Sequence, residues 1–159
     1  MFLQLWRPLF LLVSLLAILV CNCHGQETKS AEDYLGLGNA ALMEDANAKA
    51  IDLYQDGLAL INDNTDLVTK VSLETNLATA YSAMEGMQEQ VFEHYEAAIQ
   101  AYQNFEGEAD PDAKSIVSQT AFFYGMELQE QNPRKATELY GNAVRLDPEL
   151  WAAWANLGK

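Results

Sequence analysis

Few side chains in this sequence stand in an order that chemistry could use. Beyond residue 25 the chain carries one histidine, His94, and no cysteine. A His–Cys nucleophile pair, or a metal site built from several such ligands, is excluded by count. No glycine-rich phosphate loop occurs. Acid pairs do occur, Glu44-Asp45 and Asp110 with Asp112. In an acidic chain such pairs read as solvated surface or helix caps. The stretch "EADPDAK", Glu108 to Lys114, has acids at calcium-loop spacing but lacks that loop's glycine and closing glutamate. His94 stands between Glu93 and Tyr95 and reads as an exposed residue with no role. No catalytic residue, cofactor site or metal ligand is predicted, and the chain reads as a non-enzyme.

The first residues look like an address. Arg7 is the only charge before Glu27, and Leu9 to Val20 is apolar apart from Ser14. Cys23-His24-Gly25 then supplies small residues at the positions a signal peptidase reads. This is the layout of a secretory signal over 1–25, with cleavage expected after Gly25. A retained membrane anchor is the competing reading. The apolar run is about a dozen residues long, against roughly 20 for a spanning helix. Extending it backwards meets Pro8 and Arg7. Val20, before Cys21, is not small and argues against a lipid-anchored cysteine. The expectation is a protein of the secretory pathway, luminal or secreted, or else one anchored by an uncleaved signal.

Cleavage would leave 159 less 25, or 134, residues. That length suits one domain with a real core. The whole chain has 9 Lys and Arg against 23 Asp and Glu; without Arg7 the balance is 8 against 23, an excess of 15 acids. Such a charge disfavours nucleic acid and anionic membranes. Both cysteines, Cys21 and Cys23, fall in the signal, so the remainder must hold together by apolar packing alone. No Asn-x-Ser/Thr acceptor is present.

After residue 29 the apolar residues follow a helical period, and no stretch alternates as a strand would. Residues 26–29 form a short lead. Ser30 and Asp33 resemble a capping box and start a helix to about Met43. Further helices are predicted over about Asn47–Ile61, Asp66–Met84, Met87–Phe105, Pro111–Gln129 and Asn132–Leu146. Turn signals separate them: "NDNTD" from Asn62, Gly86, and the acidic loop before Pro111. Asp147-Pro148 launches a last short helix. The reading is helix pairs joined by short turns.

Such pairs share a small pattern. It reads Tyr54-x-x-Gly57-Leu58, Tyr95-x-x-Ala98-Ile99 and Tyr140-x-x-Ala143-Val144. An aromatic fills the groove between helices, and a small residue three positions on admits a neighbour. Tyr34, Leu37, Gly38, Ala50, Tyr54 and Gly57 make one copy; Leu77, Ala78, Tyr81, Tyr95 and Ala98 make the next. Ala136, Tyr140, Ala143 and Pro148 follow, then Trp154, Leu157 and Gly158. The set resembles the tetratricopeptide-repeat family over Ser30 to the end. The tyrosines are 41 and 45 residues apart, by subtraction of 54 from 95 and 95 from 140. The standard repeat is about 34, so the longer units are similar to the extended repeats of the kinesin-light-chain type. "SIVSQTAFFYGMELQEQ", Ser115 to Gln131, matches the Leu-Gly signature poorly. A plain helical bundle also carries small-residue stripes and is the alternative.

The resemblance implies an all-α fold, a right-handed α-solenoid of antiparallel helix pairs. Its repeats would span 30–64, 66–105 and 111–147, with a partial repeat at 148–159. It implies a concave groove that holds an extended peptide on the first helices of the pairs. By the family's positions, Asn39, Asn76 and Asn156 would contact the peptide backbone, since a primary amide both donates and accepts. Each is equally well read as exposed helix surface. The family's carboxylate-clamping lysine position is Leu35 here, and no base stands between Ser115 and Gln131. Neutral or basic extended peptides are therefore the expected ligands, and acidic tails are not. The function expected is a protein-interaction scaffold. The alternatives are a repeat module of a longer enzyme, such as a glycosyltransferase or hydroxylase, and a luminal co-chaperone. Trp151, Trp154 and Leu157 would form an apolar stripe that either continues into a further helix, packs back as a cap, or drives self-association.

Overall fold

The computed structural model describes residues 29–158. The expected signal over 1–25, with Cys21 and Cys23, lies outside the described residues. Those described form seven helices and no strands: α1 (Ala31–Met43), α2 (Asn47–Leu58), α3 (Leu67–Ser82), α4 (Gln88–Gln103), α5 (Pro111–Leu128), α6 (Pro133–Leu146) and α7 (Trp151–Leu157). The fold class is all-α. No helix among the described residues is long and apolar enough to cross a membrane.

The helix starts follow from side chains that satisfy orphan backbone donors. Ser30 Oγ accepts from the Asp33 amide at 3.1 Å, and Asp33 Oδ2 accepts from the Ser30 amide at 2.7 Å, a complete capping box. That backbone bond from Ser30 holds the Asp33 carboxyl below its usual range. Asp66 caps α3 through the Thr69 amide at 2.8 Å, and Asn132 caps α6 through the Lys135 amide at 3.2 Å. Asp110 accepts from the Asp112 amide at 2.8 Å, with Pro111 in the first turn of α5. The other acid pair also has backbone work. Asp45 takes φ of 56° directly after α1, a left-handed turn that aspartate tolerates. The chain then closes α1 with the Ala46 amide on the Ala41 carbonyl at 2.9 Å.

Three predicted helices run past their observed ends. α2 stops at Leu58, α3 at Ser82 and α4 at Gln103, each two or three residues early. In each case tighter turn bonds replace the helical ladder. The Leu60 amide bonds to the Gly57 carbonyl, Met84 to Tyr81, and Phe105 to Tyr102.

Consecutive helices pack on one another, and α3 also packs on α1 and α5. One core cluster joins α1, α2 and α3 through Ala50, Ile51, Tyr54, Leu73 and Leu77. A second joins α3 to α7 through Ala78, Tyr95, Ala121, Tyr140 and Ala153. A third fixes α3 on α5 through Leu67, Val71, Ala113 and Val117. Two buried hydroxyl pairings add polar ties. Thr75 and Thr120 Oγ1 atoms lie 2.7 Å apart between α3 and α5, and Ser118 Oγ donates to the Ala143 carbonyl at 3.0 Å.

Two glycines set how closely paired helices approach. A Cβ on Gly38 would enter the Tyr54 ring, and one on Gly125 would stand 2.7 Å from Tyr140 Cε1. Tyr140 cannot swing clear, because it is buried and its ring lies 6.0 Å from that of Phe122. Gly141, on the same helix as Tyr140, has open space around its Cα. Gly125→Ala is therefore expected to lose about 1–3 kcal/mol by overpacking. Gly141→Ala should be neutral or gain up to about 1 kcal/mol. Chemical denaturation of both variants checks the contrast, and equal midpoints would contradict the close approach.

Candidate amide site on the first helices

Tyr54 is fully buried on α2, with its ring on Gly38 of α1 and its hydroxyl beside Asn39. That hydroxyl donates to Asn39 Oδ1 at 2.8 Å. Asn76, from α3, donates through Nδ2 to the same oxygen, also at 2.8 Å. Asn39 thus receives two donors from two other helices, and both lone pairs of its oxygen are used. Its own Nδ2 and the Asn76 Oδ1 make no bond among the described residues. Asn39 is exposed and Asn76 half-buried. One donor and one acceptor therefore lie side by side at the surface, held by a buried phenol.

Of the three predicted asparagines, the structure brings together Asn39 and Asn76. Asn156 sits half-buried on α7, at the other end of the helix order.

A second tyrosine repeats the arrangement with a different acceptor. Tyr140, seated on Gly125, donates to Gln129 Oε1 at 3.0 Å. Tyr95 is also buried, with its ring 5.9 Å from that of Tyr124. Gly125 is thus the partner that the third helix pair had no residue for in the sequence reading. The signal that could have found it is spacing. Gly125 precedes Tyr140 by 15 residues and Gly38 precedes Tyr54 by 16.

A second polar chain lies on α2, α3 and α4. Gln55 Nε2 donates to the Tyr81 hydroxyl at 2.9 Å. The Tyr81 ring stacks on His94, with centroids 5.6 Å apart and planes within 7°. His94 Nδ1 lies 2.7 Å from Glu74 Oε2. The expectation of an exposed His94 without a role is thus corrected. The ring is half-buried and links α4 to α3, because Glu74 and Tyr81 fall two turns apart on one face of α3.

On α6, Lys135 Nζ donates to the Tyr124 hydroxyl at 2.9 Å and stands 3.5 Å from Glu96. The Tyr124 bond raises the Lys135 ammonium above its ordinary range against the opposing effect of burial, and Glu96 adds to it. Among the described residues no three His, Cys, Asp or Glu side chains converge as metal ligands.

The predicted apolar stripe on α7 is divided. Leu150 and Leu157 pack on the core around the buried Ala153. Trp151 and Trp154 face outward, 79% and 49% exposed, and the Trp154 indole N–H donates to the Pro148 carbonyl at 3.1 Å. Helical geometry explains the split, since 150, 153 and 157 share a face that 151 and 154 only flank.

No family model matches the chain, and no curated protein is similar to it.

The amide site has a pH signature. Burial pushes the Tyr54 phenol up to about 12, with Asn76 acting in the opposite direction. An unfolded tyrosine titrates near 10. The phenol is raised in the folded state, so its contribution is fully present below about pH 10. It is lost as pH rises towards 12, because the unfolded chain gives up its proton first. The expected loss is on the order of 2 kcal/mol. Burial also raises Tyr95 and Tyr140, which add in the same sense. Tyr54→Phe should flatten part of this alkaline slope and cost about 1 kcal/mol at neutral pH through the lost bond to Asn39. Urea unfolding from pH 8 to 12 measures both, and an unchanged slope would contradict the assignment.

Proposed function

We propose that the chain is a non-catalytic protein-interaction scaffold. In this reading it is a right-handed α-solenoid of antiparallel helix pairs resembling the tetratricopeptide repeat, and it acts in the secretory pathway. Its ligand is an extended peptide segment lying across the first helices α1, α3 and α5. The observation that carries the reading is the Asn39–Asn76 pair. An extended peptide offers an N–H and a C=O at each residue, and Asn76 Oδ1 and Asn39 Nδ2 are the complementary acceptor and donor. Side chains that must change rotamer to bind lose entropy; here two helices and a buried tyrosine have already fixed them.

Other observations support it. The contact order, with α3 against α1 and α5 and each second helix against the next first helix, fits stacked pairs. The recurrent seating of tyrosines on small residues fits a repeated unit. An excess of 14 acids favours neutral or basic ligands and speeds their encounter. The test is an array of short synthetic peptides sorted by charge. Neutral and basic peptides should bind, and Asn39→Ala or Asn76→Ala should weaken them about tenfold, while Asn64→Ala in the turn after α2 should not. Equal binding of acidic peptides, or no effect of either substitution, would overturn the reading.

The same reading gives α7 a contact role. The exposed faces of Trp151 and Trp154 amount to roughly 300 Å², taking about 250 Å² for a whole tryptophan. A stable interface needs about 800 Å² per partner, so self-association through this end is expected to be weak and concentration-dependent. Sedimentation velocity should show dimer only at high protein concentration, and Trp151→Ser/Trp154→Ser should abolish it. A wild type that stays monomeric throughout would remove this role.

A further inference from the structure

A groove runs between α4 and α6, with α5 as its floor. It contains two adjoining cavities of about 230 and 200 Å³ that share Ile99, Gln103 and Asn142. The first has an apolar lining of Ile99, Tyr102, Val117 and Leu146, and Arg145 stands on its rim. The second is ringed by Glu96, Glu138 and Lys135. Neither includes Asn39 or Asn76.

The two bases differ in what they already hold. Lys135 is engaged by the Tyr124 hydroxyl and by Glu96. Arg145 forms no ion pair among the described residues; its guanidinium bonds to the Asn142 side chain at 3.1 Å. That bond leaves most of a planar five-donor fork unused. An unpaired guanidinium beside an apolar hollow is a notable placement in a chain with 23 acids and 9 bases.

We propose that the first cavity is a binding site for a small apolar carboxylate. The carboxylate accepts from Arg145 at the rim, and the hydrocarbon lies on Ile99, Val117 and Leu146. Each feature selects one property of the ligand. The guanidinium matches a carboxylate in shape and charge. Along Ile99, Val117 and Leu146 a hydroxyl would find no partner, which favours hydrocarbon there, while Gln103 and Asn142 are polar members of the lining. The cavity of about 230 Å³ sets the ligand's size class as small. Glu96 and Glu138 repel an anion from the second cavity, which fixes the ligand's direction.

Isothermal titration calorimetry of the purified protein with sodium octanoate tests this. Octanoate should bind saturably, one per chain. Octanol, which keeps the chain and lacks the charge, should bind at least tenfold more weakly. Arg145→Gln should weaken octanoate by a similar factor. Arg134→Gln removes the same charge from an exposed position of α6 that lines neither cavity, and it should leave octanoate binding unchanged. Circular dichroism confirms that both variants keep their helices. Heat that does not saturate would overturn the proposal. So would equal binding of octanol, insensitivity to Arg145→Gln, or an equal loss in Arg134→Gln. The peptide array reads Asn39 and Asn76, so failure of one reading is distinguishable from failure of the other.

Discussion

The fold depends on a tyrosine ring seated against a residue too small to resist it. Tyr54 lies on Gly38 and Tyr140 on Gly125, closer than any Cβ would allow. Each contact draws a second helix against its first helix, near the middle of α1 at Gly38 and in the last turn of α5 at Gly125. A fully buried aromatic removes on the order of 200 Å² from water, or about 5 kcal/mol at 25 cal/mol per Å². The phenol hydroxyl at the end of the ring then needs a partner. Packing thereby decides where polar side chains must stand. Asn39 and Gln129 are the polar ends of hydrophobic contacts before they are anything else.

That ordering explains which parts could be read from the sequence. Helix starts were legible because a cap is a local event. Ser30 with Asp33, Asp110 with Pro111, and Asn132 with Pro133 each announce themselves within four residues. Helix ends were less legible. Ile61, Met84 and Phe105 continue the apolar period, but their amides bond in tighter turns. Gly125 escaped because the residue before it is Tyr124, where a Leu-Gly signature was sought. His94 escaped because its partners, Glu74 and Tyr81, belong to another helix. The division of α7 was hidden by a similar ambiguity. A seven-residue helix rich in Trp, Ala and Leu has two apolar faces, and only the position of α6 decides which one docks.

The amide pair and the α4–α6 groove, the two proposed sites, arise from helix packing by different routes. In the first, a buried phenol anchors Asn39, and Asn39 anchors Asn76, so surface amides inherit the rigidity of the core. The chemistry is neutral and directional, suited to a backbone. In the second, α4 and α6 stand apart because both rest on α5, and the space between them is lined by whatever their flanks carry. No local sequence pattern specifies such a space, since its walls lie about 40 residues apart in the chain, from Ile99 to Asn142.

Charge gives the two surfaces different meanings. The overall field of an acidic chain draws cationic partners to every face alike. It therefore cannot choose among faces, and what chooses is the location of the few bases. Lys135 is turned inward, bonded to Tyr124 and paired with Glu96, so its charge is largely cancelled where a ligand would meet it. Arg145 has only an amide for a neighbour. It also sits in the last turn of α6, where the helix dipole favours a cation and so leaves the guanidinium in place without an acid to hold it. An anion approaching the α4–α6 groove meets repulsion at long range and the Arg145 fork at contact. At physiological ionic strength the repulsion is screened beyond about 8 Å, and the contact at Arg145 is not. The proposed selectivity for a small carboxylate over a large polyanion rests on that difference in range. A small ligand meets only the local fork, while a large one meets the surrounding acids as well.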